Sequence, residues 1–111
     1  MEVENEGQIC TITPEMKQID VNNSQQFSSD LTEIVNNCGE MIILNLQNIS
    51  FMDSSGLGAI VSVLRKLNGL KRKMVLCEAA PAVDVLFKMV RLSQIAEIYE
   101  TKEIAITNLK G

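Results

Sequence analysis

The residues most able to do chemistry are gathered in "NISFMDSSGLGAIVSVL", residues 48 to 64. An apolar run ends there, and Asp53, Ser54 and Ser55 follow, with Gly56 and Gly58 just behind them. A serine beside an acid suggests a nucleophile, but a serine nucleophile needs a base. The chain has no histidine, which removes Ser-His and Cys-His catalysis and the usual zinc sites. Ser54 also follows Met52 and Asp53 rather than the G-x-S-x-G of a nucleophile elbow. The glycine pair is no better as a dinucleotide site. Ala59, Ile60 and Val61 follow Gly58, so the third glycine of G-x-G-x-x-G is missing, and there is no Walker-A lysine. The expectation is a chain that is not an enzyme, with no catalytic residues, no metal and no cofactor.

Two uses of the serines remain. Asp53, Ser54 and Ser55 are all good N-cap residues, and a cap contributes about 1 kcal/mol. Ser54 could instead be a substrate. A serine at a helix start has an exposed hydroxyl, and its phosphate would sit over free backbone N–H groups and the positive end of the dipole. The helix would tolerate the phosphate, yet the added charge of about −1.5 to −2 beside Asp53 would repel an acidic partner. The fold would persist while binding was lost.

The elements that must position these residues alternate strand and helix. "QICTIT" (8 to 13) alternates apolar and polar residues, as a strand with one wet face would, and Pro14 ends it or marks an edge. Phe27, Leu31, Ile34, Val35 and Cys38 recur at spacings of 4, 3, 1 and 3, which predicts an amphipathic helix from about Ser24 to Cys38. Gly39 stands where a left-handed cap residue would end it. "MIILNL" (41 to 46) reads as a strand buried on both faces. A second helix, about 54 to 67, carries Leu57, Ile60, Val61, Leu64 and Leu67, with Gly69 just beyond. "KMVLC" (73 to 77) is a further buried strand. Pro81 opens a third helix with Val83, Leu86, Phe87 and Val90 as its stripe. "IAEIYE" (95 to 100) reads as a short strand, and "KEIAITNLK" as a terminal helix docking through Ile106 and Leu109. This order implies an α/β fold with right-handed crossovers onto a largely parallel sheet. The N-terminal strand adds antiparallel at one edge. Ser54 then lies at a strand C-terminus and a helix N-terminus, where open α/β sheets tend to bind ligands.

Composition narrows the class. With 111 residues, 46% hydrophobic and 22% charged, the chain fits one ordered domain over 1–111. The net charge of −4 and pI near 4.8 argue against nucleic-acid binding. "RKLNGLKRK" (65 to 73) is a basic exception, read as cations at a helix C-terminus followed by a solvated loop. No apolar run is long enough to span a membrane, and the acidic "MEVENEGQ" is not a secretory signal; the expected location is the cytoplasm. Three widely spaced cysteines, Cys10, Cys38 and Cys77, with no CxxC suggest neither a disulfide framework nor a zinc site. Cys10 and Cys77 are expected as small core residues.

"LNLQNISFMDSSGLGAIVSVLRKL" resembles the signature of STAS-domain anti-sigma factor antagonists, and "KMVLCEAAPAVDVLFKMVRLSQIAEIY" is similar to the segment that follows it in that family. The likeness covers most of residues 20 to 100, and its D-S-S-G-L-G core is specific. It implies a four- to five-stranded mixed sheet flanked by about four helices. It also implies partner switching. The unphosphorylated antagonist binds an anti-sigma factor that is also a serine kinase, and so releases the sigma factor. The kinase phosphorylates the serine after the motif Asp, here Ser54, and a metal-dependent serine phosphatase reverses this. Asp53 would position the hydroxyl and contact the kinase. Ser55 would be a cap or supporting hydroxyl, and Gly56 and Gly58 would keep the helix start narrow for the kinase. Asp20 matches an Asp that ends the family's second strand and touches the partner. There the family has Gly-Glu-Leu-Asp, and this chain has Lys17-Gln18-Ile19-Asp20.

Three functional readings therefore stand. The first is a phospho-regulated anti-sigma factor antagonist, most simply a monomer that trades partners. The second keeps the switch but regulates a phosphatase, a cyclase or a chemosensory complex, or serves as an accessory subunit of a lipid transporter. The third is a small-ligand binder, weakened by the lack of a basic residue near Ser54.

Overall fold

The computed structural model describes residues 1–111. Its first feature is a hairpin. Strand β1 (Glu2–Glu6) turns through Gly7 and Gln8 into β2 (Ile9–Thr13), with Glu6 opposite Ile9. Gly7 has φ +61°, a left-handed conformation that only glycine enters without penalty. β1 is exposed throughout and takes the edge of the sheet. β2 is therefore an inner strand, and the wet face expected of it does not exist: Thr11 and Thr13 are buried. The acidic strand had no apolar pattern to betray it. Ladder hydrogen bonds hold it, and its glutamates discourage further pairing at that edge.

The main sheet has the order β1-β2-β4-β6-β7, where β4 is Met41–Asn45, β6 is Lys73–Cys77 and β7 is Ile98–Tyr99. Only the β1–β2 pairing is antiparallel. Two short strands, β3 (Gln18–Ile19) and β5 (Phe51–Met52), pair in parallel beside it. β7 is shorter than its sequence suggests, because Leu92–Gln94 forms a 3-10 turn and Ile95 closes it.

Alternate residues of β4 and β6 serve two apolar layers. Ile42, Leu44, Met74 and Leu76 pack with α1 (Ser24–Asn36), α2 (Ser54–Gly69) and α3 (Pro81–Met89) through Phe27, Leu31, Ile60, Leu64, Val83 and Phe87. Ile43, Val75 and Cys77 face α4 (Lys102–Lys110), where Ala105 is buried and Ile106 and Leu109 pack around it. This two-sided burial is why the central strands read as unbroken apolar runs. The stripe expected on α3 is narrower than its spacing implied, since Val90 is exposed.

Two expectations at the end of α1 are overturned. Gly39 is not left-handed; the helix ends at Asn36, with Asn37 as its cap residue at φ −100°. The Arg72 guanidinium caps it instead, donating to the carbonyls of Val35, Cys38 and Gly39. Gly69 likewise belongs inside α2, and Lys71 takes the left-handed turn at φ 58°. Cys10 and Cys38, expected as unpaired thiols, are joined in a disulfide, while Cys77 is a free, buried thiol as expected. Helix α1 carries Cys38 back to the sheet beside β2, a return that residue spacing does not encode.

Replacing Arg72 by Ala removes a charged donor from three carbonyls at once. We expect a loss of about 1–3 kcal/mol, read as a lower urea midpoint at unchanged m. An unchanged midpoint would contradict the capping role.

Candidate functional site

The site forms where β3, β5 and α2 meet. Asp53 leaves β5 in an extended conformation (φ −99°, ψ −174°) and is the N-cap of α2. Its Oδ1 accepts from the backbone N–H of Ser55 at 2.9 Å and of Gly56 at 3.1 Å. Its Oδ2 accepts from the N–H of Val21 at 3.2 Å. One carboxylate thus joins the start of α2 to the turn that follows β3. The backbone reinforces the join, as the Asp53 N–H donates to the Ile19 carbonyl at 3.1 Å.

The turn after β3 is organised by Asp20 and Asn23. Asp20 accepts from the Asn22 N–H and the Gln18 side chain, both at 2.9 Å. Asn23, at the start of α1, turns its side chain back to the Asp20 N–H and the Gln18 carbonyl instead of capping its own helix. Asp20 therefore lies one residue from the Asp53 link, with its carboxylate engaged within its own turn.

Ser54 is the first residue of α2 and is exposed. Asp53 alone does the capping, so neither serine hydroxyl serves as the cap. Ser55 contributes its backbone N–H to that cap and is half-buried. The N–H groups of Ser55 and Gly56 are already taken by Asp53. Of the N–H groups expected to be free at this helix start, these two are already engaged.

The two glycines differ. A Cβ on Gly56 would stand 2.7 Å from the Ile19 carbonyl oxygen and 2.8 Å from the Met52 side chain. Gly56 is therefore required by the close approach of α2 to β3. A Cβ on Gly58 would meet nothing within 4 Å, so the fold makes no demand for glycine there.

Sequence reasoning missed two neighbours. Phe51, two residues before Asp53, and Val21, whose N–H is bound by Asp53, are large apolar side chains left 49% and 72% exposed. The period-2 alternation of β5 held the signal for Phe51: with Met52 buried, its neighbour must face outward. A surface concavity of about 540 Å³, bordered by Gly7, Gly39 and Met41, lies at the other end of the strands.

These features belong to a known class. Residues 1–105 match the profile of the STAS domain, and the chain belongs to that family. Among individual proteins, it is 39% identical over 71 residues to the anti-sigma F factor antagonist of Paenibacillus polymyxa. The aligned part spans 64% of this chain and 61% of that relative. The fold is that of an anti-sigma factor antagonist from Mycobacterium paratuberculosis, with TM-score 0.88, 18% identity, and coverage of 99% of this chain and 92% of that one. The anti-sigma factor antagonist SpoIIAA in its unphosphorylated form aligns with TM-score 0.77 at 24% identity, covering 99% and 96% of the two chains. The phosphorylated form of the Bacillus protein aligns with TM-score 0.69, at 24% identity and 97% coverage of each chain. No helix is long and apolar enough to cross a membrane.

The glycine geometry gives opposite expectations for one substitution. Gly56→Ala should cost about 1–3 kcal/mol, because backbone must move. Gly58→Ala should stabilise by about 0.5–1 kcal/mol, as alanine favours an open helical position. Urea unfolding of both variants checks this, and equal stabilities would contradict the close approach.

Proposed function

We propose that the chain is an anti-sigma factor antagonist, a binding module without catalysis of its own, working as one STAS domain in the cytoplasm. Unphosphorylated, it binds an anti-sigma factor that is also a serine kinase, and the sigma factor is released. The kinase phosphorylates Ser54, the antagonist lets go, and a serine phosphatase resets it. The protein works as a monomer exchanging partners.

The observation that carries this reading is the division of labour at the start of α2. Asp53 holds the helix and the adjoining turn, so the exposed Ser54 hydroxyl has no structural duty. A kinase can take it without disturbing the cap. The phosphate then places a charge of about −1.5 to −2 beside Asp53 and Asp20, on a surface whose apolar contacts are Val21 and Phe51. Burying that surface against a partner would require desolvating the phosphate, which is strongly unfavourable. Gly58 fits the same reading: the domain has room for a side chain there, and a kinase lying against the first turns of α2 would not.

Incubation with ATP and the cognate kinase, followed by peptide mass spectrometry, tests the site. Phosphate should appear on Ser54 and labelling should vanish in Ser54→Ala; labelling elsewhere, or undiminished in that variant, would refute the assignment. A second test uses Ser54→Asp, which should weaken kinase binding by about tenfold or more in calorimetry while shifting the melting temperature only slightly. Unfolding of this variant would instead mean that Ser54 is a structural residue.

A further inference from the structure

We infer that Cys10 and Cys38 form a reversible thiol–disulfide couple that staples the end of α1 to the sheet and exchanges with small disulfides and dithiols. Cys10 lies in β2 and is 2% exposed, while Cys38 follows α1 and is half-buried. Their Cα atoms are 5.9 Å apart, inside the range a disulfide spans without backbone movement. The bond closes a loop across 28 positions of sequence that contains β3 and all of α1. It is a large constraint on the unfolded chain for a single bond.

The surroundings make the couple selective. Cys38 is the less buried residue of the pair, so exchange begins there. Its thiolate attacks a disulfide RSSR, giving Cys38–S–S–R and releasing RS⁻. The Cys10 thiol passes its proton to that RS⁻, and its sulfur attacks the Cys38 sulfur. The Cys10–Cys38 bond forms and the second RS⁻ leaves. Two protein thiols are oxidised by two electrons and RSSR is reduced to two thiols; a dithiol runs the sequence backward. Cys77 does not compete, since burial, followed by the charge of Glu78, pushes its thiol up to about 12.

The staple lies just past the C-terminal end of α1, and Ser54 opens α2, whose cap Asp53 is tied to the turn before the N-terminal end of α1. The N-terminus of α1 follows the turn held by Asp53, and its C-terminus carries Cys38 and the carbonyls capped by Arg72. Redox state should therefore set the stability of the domain while Ser54 stays exposed in both forms.

The test uses the full chain equilibrated with glutathione disulfide or with dithiothreitol. After acid quenching, denaturation and alkylation, the oxidised form should carry one alkyl group, on Cys77, and the reduced form three. The oxidised form should melt higher by roughly 10–20 °C. Cys38→Ser should melt near the reduced protein and ignore the redox buffer. Three alkylated cysteines after glutathione disulfide, a bond to Cys77 or to a second chain, or equal melting of the two forms would overturn the inference.

Discussion

The Asp53 carboxylate is the interaction on which the site depends. A helix start has orphan N–H groups, and most helices satisfy them with a local cap. Here one carboxylate takes two N–H groups of α2 and, with its other oxygen, a third from the turn after β3. That third bond joins segments 32 residues apart in sequence. It works only because Gly56 lets α2 press against the Ile19 carbonyl. Cap, glycine and short parallel pair β3–β5 form one unit, and Ser54 stands on its rim with nothing to hold.

This arrangement explains how a charge can be added without structural loss. Were Ser54 the cap, phosphorylation would rebuild the helix start. With Asp53 as the cap, two N–H groups of the helix start are already met, and under the proposed reading a phosphate on Ser54 would act on what approaches from outside. The apolar surface of Val21 and Phe51 and the unoccupied space over Gly58 suit a docking partner that requires this face to remain lightly charged. The proposed antagonist role follows from that asymmetry: the domain's stability and its binding surface rest on different residues.

Much of the architecture was legible because burial imposes periodicity. The unbroken apolar runs of β4 and β6 and the stripes of α1 and α2 announced a covered parallel sheet. Asp53, Ser54 and the two glycines were legible as a helix start. What escaped depends on distant residues. The exposed β1 has no hydrophobic pattern, so it was invisible, and with it the burial of Thr11 and Thr13. The Arg72 cap and the Cys10–Cys38 bond join segments 34 and 28 residues apart, and neither pairing is encoded in local spacing. The different roles of Gly56 and Gly58 depend on what faces each one, which two glycines in a motif cannot reveal.

Phosphate on Ser54 should leave the Asp53 cap in place. Amide hydrogen exchange at Ser55 and Gly56, measured by NMR before and after phosphorylation, tests it most directly. We expect both amides to stay protected in the phosphorylated domain, because Asp53 still holds them. Rapid exchange of both after phosphorylation, with the rest of α2 intact, would mean that the phosphate has displaced Asp53, and would contradict the account.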